Sequence, residues 1–181
     1  MSNTKTVILG ELPKGAIFKI GTREFISFGE ENGGVYAVLK ESEAMSQFGK
    51  NNNFAESKIL EQLTKEFLPE IENIVGAENI LEFETDLLSL DGSAQYGVIK
   101  SRISLPTFDF YRKNRAIFEQ HKLDKWWWLS TPDSTPEWNT NYFINVVSPS
   151  GDINDDGYDC GCGVRPFLFF KSSIFVSCDE E

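Results

Sequence analysis

Both ends of this chain are built from short runs of β-forming residues broken by glycine, and only its middle carries helical spacing. Between Leu12 and Lys40 the runs AIFKI, REFISF and VYAVLK are separated by Gly15, Gly21, Gly29 and the pair Gly33 and Gly34. They read as strands of an antiparallel meander, with EENGG (30–34) supplying residues that tolerate positive φ at a hairpin. From Trp126 onward the same style returns as WWWLS (126–130), YFINVV (142–147), VRPFLFF (164–170) and SIFVS (173–177), with SPSGDINDDG (148–157) expected as a turn. Between these blocks Ile59, Leu60, Leu63 and Phe67 fall on one helix face behind Ser57 as N-cap, and Pro69 is expected to help end that helix. A less regular apolar series from Ile71 to Phe83 leads to a turn at Asp91 and Gly92. A second helix is expected over FYRKNRAIFEQHKL (110–123), which holds the only concentrated positive charge, Arg112, Lys113 and Arg115.

Strands at both ends with helix between predict an α+β fold: a single domain, mainly antiparallel sheet with one or two helices, whose termini can share a sheet. The 181 residues suit one domain, since domains run to about 100–200 residues. Residues 1–11 are expected to be a flexible N-terminal segment and 179–181 an acidic tail. With 13% aromatic residues the chain has the apolar mass to offset the entropy of ordering, which excludes disorder.

Charge limits the partners. Against 28 Asp and Glu stand 17 Lys and Arg, a net charge of −11. Direct binding to DNA or RNA is disfavoured, because that affinity comes from cations displacing counterions along the phosphate backbone. An acidic excess suits solubility, cation binding or attraction to a basic protein groove that normally holds nucleic acid. The opening MSNTKTVILGEL has an apolar cluster too short for a signal-peptide core or a membrane span, so a cytoplasmic protein is expected. Cys160, Cys162 and Cys178 are odd in number and are expected to be reduced.

No catalytic motif stands out, and no cofactor or metal is expected. Asp152, Asn154, Asp156 and Gly157 match the start of a calcium loop, but the twelfth position would be Gly163, which has no carboxylate; a structural turn is the simpler reading. Cys160 and Cys162 with distant Cys178 and the sole histidine, His121, fit structural zinc poorly, and a Cys/His nucleophile pair lacks a third orienting group. Trp126, Trp127 and Trp128 could make an aromatic platform, yet on a strand Trp127 opposes its neighbours, so core packing is expected for at least one. Two acidic sets remain as candidate partner-binding faces. The first is Glu61, Glu66, Glu70, Glu72, Glu78, Glu82, Glu84 and Asp86, interrupted by a single lysine, Lys65; the second is Asp152, Asp155, Asp156 and Asp159. Such faces are usually solvated, or they imitate a phosphate array for a basic cleft.

Three segments carry a resemblance: WWLSTP (127–132), FINVVSPSG (143–151) and GVRPFL (163–168), with Trp127, Trp128, Leu129, Pro132, Gly151, Gly163, Val164, Arg165 and Pro166 as the key positions. In this order they resemble a domain-of-unknown-function family of gut Firmicutes and their phages and mobile elements. That family has a C-type-lectin-like fold, related to formylglycine-generating enzymes. Phe54, Ile59, Leu60, Leu63 and Phe67 resemble its helix, with Thr64 replacing an asparagine. Ser130 departs from the usual arginine, and Thr131 then stands in the serine position. The resemblance implies a lectin-like fold in which Arg165 is held by stacking or by a carboxylate; the metal-binding cysteine pair of the enzymes has no counterpart here.

In size, acidity and phage setting the chain also resembles anti-CRISPR proteins that inhibit type II RNA-guided nucleases. The function this implies is a non-enzymatic inhibitor that blocks DNA binding or cleavage by a guide-loaded nuclease in the host cytoplasm, without touching nucleic acid or membrane itself. The second reading is a lectin-like glycan- or cation-binding domain of a surface or tail protein, using Trp126, Trp138 and the 152–159 segment. The third is an enzyme relying on Cys160 or Cys162 with His121.

Overall fold

The computed structural model describes residues 4–179 and has the α+β, mainly antiparallel architecture expected. A seven-stranded sheet has the order β1 (Thr4–Ile8), β14 (Phe175–Asp179), β2 (Ile17–Ile20), β3 (Arg23–Glu31), β4 (Gly34–Leu39), β13 (Phe167–Lys171), β8 (Ile103–Ser104). A five-stranded sheet has the order β11 (Ile153–Gly157), β10 (Phe143–Val147), β9 (Trp127–Pro132), β12 (Cys162–Val164), β5 (Glu43–Ser46), and β6 (Phe83–Asp86) pairs with β7 (Val98–Ser101) as a ribbon. The short contact of β12 with β9 is parallel. The hairpin at 30–34 forms as expected, with Asn32 and Gly33 at φ 53° and 81°, the left-handed pair that matches the twist of its two strands.

The two ends share a sheet, because β1 pairs with β14 from Thr4 opposite Asp179 to Ile8 opposite Phe175. Over the described residues 4–11 this corrects the expectation of a flexible segment. The VIL cluster finds the open side of β14, and Leu9 behind it is fully buried; Met1 to Asn3 and the tail residues Glu180 and Glu181 lie outside the described residues.

Among the described residues α-helix is confined to two places. Ser57 caps the first, its Oγ accepting the Leu60 N–H at 3.0 Å. From α1 (Lys58–Gln62) the chain runs through a π turn, Leu63–Phe67, into α2 (Leu68–Val75). Pro69 therefore does not end this helix, contrary to expectation. The wider turn immediately before it, with the Leu68 N–H reaching back to the Leu63 carbonyl, relieves the crowding and missing donor that proline imposes in a regular helix. Gly76, at φ 86°, ends it instead. The second place is α3 (Phe108–Lys113) and α4 (Arg115–Gln120), broken at Asn114 where one continuous helix was expected. Among the described residues no helix is long and apolar enough to cross a membrane.

The five-stranded sheet is covered on both faces, which decides the tryptophans. Trp128 packs into one core beside Phe48, with ring centres 5.4 Å apart, and Trp127 into the other, between Tyr111 and Phe118. Both are buried because alternation sends them to opposite faces that are each dry; of the three adjacent tryptophans Trp126 alone is exposed.

Candidate functional site

Arg165 and its neighbours hold the fold together. Arg165 is buried, with Nε donating to the Leu39 carbonyl at 2.9 Å and Nη2 to the Lys40 carbonyl at 2.8 Å. Its guanidinium stacks over Trp127, so stacking and carbonyls do the work for which a carboxylate was the alternative. Burial lowers its pKa to about 10, leaving it charged at neutral pH. The Pro166 carbonyl accepts the Leu39 N–H, the Gly163 N–H donates to Trp126, and Gly151, at φ 90°, offers its carbonyl to the Tyr111 hydroxyl at 2.6 Å. Ser130 is fully buried with its N–H on Pro106, a position with no room for an arginine.

The first acidic set is not one helical face. Glu61, Glu66, Glu70 and Glu72 lie on the helix, but Glu78 and Glu82 lie beyond it and Glu84 and Asp86 are on β6. Cations from elsewhere in the chain also neutralise much of it. Lys65 binds Glu61 at 2.6 Å, Arg23 binds Glu70 at 3.1 Å, Arg102 binds Glu72, and Lys100 lies 3.6 Å from Glu84. The partners Lys65 and Arg23 hold Glu61 and Glu70 below the usual carboxylate range. Glu66, Glu78 and Glu82 have no ion pair among the described residues, and Asp86 accepts the Leu88 N–H at 3.0 Å.

The second set is not a loop. The turn ends near Asp152, and Ile153–Gly157 is β11, an edge strand paired with β10; this corrects the expected turn over 148–157 and removes the calcium-loop reading. Asp152 accepts the Ser150 hydroxyl and lies 3.6 Å from Arg115. Asp156 accepts the Gly157 N–H and faces the Cys162 thiol at 3.8 Å. Asp159 accepts the Tyr142 hydroxyl at 2.7 Å, which pushes Tyr142 up to about 12. Among the described residues no three His, Cys, Asp or Glu come together as metal ligands.

The thiols are poorly set up as nucleophiles. The Asp156 hydrogen bond raises Cys160, and burial pushes Cys162 up to about 12, so little thiolate forms near neutral pH. His121 is bonded at 3.2 Å to the Gly15 carbonyl, and burial lowers its pKa.

What the tertiary structure brings together is a different surface. Pro132 stands opposite Ile144, and the next residue, Asp133, donates its N–H to Phe143 at 3.0 Å. Asp133 therefore shares a face with Phe143 and Asn145 on β10, and Asn145 is paired across to Asp155 on β11. On the other side the Leu90 N–H bonds the Pro132 carbonyl and the Asp91 N–H the Asp133 carbonyl. Asp91 is fixed in place by the hydroxyls of Ser89 and Ser134, at 2.5 and 2.6 Å, which lower its pKa. Trp138, 58% exposed, lies over Gly92, and Phe143 is 38% exposed. Burial, and then the charges of Asp155 and Asp91, raise the pKa of Asp133. From Trp126 to Val164 the chain has Asp133, Glu137, Asp152, Asp155, Asp156 and Asp159 but neither Lys nor Arg. Beside this surface is a cleft of about 500 Å³ between α3 and residues 83–92, floored by Phe83, Phe110 and Phe167, with exposed Leu88 and Leu90 on its wall.

No family model, curated protein or solved structure matches this chain.

Of the predicted carboxylates, Asp155 alone is both uncommitted and part of this surface, and Trp138, expected for the glycan-binding reading, lies on it too. Asp133, Phe143 and Asn145 were not singled out by sequence. The signal available for them was the run without a cation from Trp126 to Val164, which composition over the whole chain averages away.

Proposed function

We propose that this is a non-enzymatic, acidic interaction protein that occupies a basic nucleic-acid-binding surface on a host protein, a guide-loaded type II CRISPR nuclease being the partner tested first. The observation that carries this reading is the surface around Asp133, Phe143, Asp155 and Trp138. There Asp133 and Asp155, which have no ion pair among the described residues, share a face with the partly exposed Phe143 ring, the combination that steers a basic partner and then supplies a desolvated centre. Leu88 and Leu90, on the wall of the adjoining cleft, extend the apolar part. The partner's class follows from its sign, and its name from the resemblance in size, charge and phage setting. Action in the host cytoplasm belongs to the same reading.

The test is to mix the purified protein with the guide-loaded nuclease and measure co-elution and target cleavage at two salt concentrations. Co-elution with loss of cleavage, both weakened by added salt, supports the proposal. Unchanged cleavage with no co-elution removes this partner.

A further inference from the structure

Among the described residues, three polar side chains on one face of β10, β11 and the residue after β9 have no hydrogen-bond or ion-pair partner. Asn145 is 1% exposed, yet neither its Oδ1 nor its Nδ2 makes a hydrogen bond. A buried amide with both ends unpaired is costly, and native proteins rarely leave one so unless something else satisfies it. Directly across the strand pair is Asp155, exposed, with no hydrogen bond or ion pair to its carboxylate; the side chains of such paired residues stand about 4.5–5.5 Å apart at Cβ. Diagonal to Asn145 is Asp133, half-buried, whose carboxylate is likewise uncommitted. Burial, and then the charge of Asp155, raises the pKa of Asp133. Phe143 stands on the same face with part of its ring open.

Resting on the acidic-interface reading above, we infer that Asp133, Asn145 and Asp155 form a receptor for one arginine side chain of a bound protein. A guanidinium offers five N–H donors in a planar fork, enough for two carboxylates and the Asn145 carbonyl, and its face stacks on an aromatic ring such as Phe143. A main-chain carbonyl of the same peptide then accepts from Asn145 Nδ2. A metal ion satisfies only the oxygen of that amide and makes no use of the ring. Lysine, a compact point charge, reaches fewer of these acceptors at once.

The experiment is an NMR titration of the full-length, isotope-labelled protein with a blocked Gly-Arg-Gly peptide, following the Asn145 side-chain amide and the Phe143 ring. Saturable shifts at both are expected. The citrulline analogue, similar in shape but uncharged, gives none, and the double variant Asp133→Asn, Asp155→Asn weakens the arginine peptide by about tenfold or more. The backbone amide spectrum of that variant verifies its fold, and Asn145→Asp, which keeps an acceptor and adds charge, still binds. No saturable shift, equal binding of the citrulline peptide, or a response to calcium chloride in place of arginine overturns the inference. Nuclease binding separates the two readings. If the double variant binds nuclease as wild type does, the receptor falls and the acidic interface stands. If arginine peptide binds and nuclease does not, the receptor stands and that partner falls.

Discussion

The Arg165 guanidinium lies 4.9 Å from the centre of the Trp127 ring and donates to the Leu39 and Lys40 carbonyls. Trp127 opens β9 and Arg165 directly follows β12, so the contact ties these two segments through the second core. Replacing Arg165 with Lys keeps the charge and loses the planar stack and the fork that spans the Leu39 and Lys40 carbonyls. A loss of about 3 kcal/mol is expected. Trp127→Ala should cost about 3–5 kcal/mol. Urea unfolding monitored by circular dichroism checks both, as a lower midpoint at unchanged slope.

Asp133 predicts a gain in stability on neutralisation. Its folded pKa is raised above the unfolded 3.8 by burial and by Asp155 and Asp91. In the window between those two values the folded state binds more protons than the unfolded one, so this group's contribution is present below the unfolded value and lost as the pH rises through the folded one. Asp133→Asn should therefore raise the melting temperature at pH 7, with the gain fading as the pH falls toward 3.8. A melting series from pH 7 to pH 3.5 reads this directly, and a constant gain at every pH would contradict it.

The thiols predict low reactivity. With Cys162 buried and at about 12, and Cys160 raised by its bond to Asp156, iodoacetamide at pH 8 should leave Cys162 unmodified and alkylate Cys160 more slowly than free cysteine. All three cysteines should react in denaturant. Intact-mass spectrometry counts the adducts. Changing Cys160 and Cys162 together to serine should leave partner binding intact.

The two acidic sets should differ in binding. Glu61 and Glu70 already have cations, at 2.6 and 3.1 Å, whereas Asp155 has none. Asp155→Lys should weaken association with a basic partner at least tenfold, as should Trp138→Ala. Glu61→Lys should change affinity by less than about threefold. Binding isotherms at two ionic strengths check the set, and a stronger effect from Glu61→Lys than from Asp155→Lys would place the interface on the helix.

Asp91 links the 87–93 loop to the end of β9 by accepting Ser89 and Ser134. Asp91→Ala leaves the Ser89 and Ser134 hydroxyls only their longer bonds to the Ser93 and Thr135 carbonyls, at 3.3 and 3.4 Å, so a loss of about 1–3 kcal/mol is expected. Hydrogen exchange should show faster opening confined to residues 87–93 and the neighbouring 132–135.

Local signals were enough for much of the fold. The glycine-punctuated runs mark β2, β3 and β4, Asn32 and Gly33 their hairpin, and Ser57 the helix start, because φ preference, capping and side-chain alternation act within a few residues. Pro69 failed for a local reason, since the π turn just before it makes room for it inside the helix. Other expectations failed where a partner distant in sequence took over: Thr4–Ile8 is a strand because β14 offers an edge, and Asp155 is on a strand because β10 does.

The sequence alone determined the α+β class, the acidic sign of the surface and the burial of at least one of the adjacent tryptophans. These follow from composition, periodicity and chirality, which need no distant partner. Only the tertiary structure decided which carboxylates keep their charge unanswered. A glutamate is neutralised or left open by where the fold brings Arg23, Arg102 and Lys100, and those are 47, 30 and 16 residues away from Glu70, Glu72 and Glu84 along the chain. The same long-range pairing set Asp133, Asn145 and Asp155 side by side, since cross-strand neighbours are fixed by register and sequence distance says nothing about them.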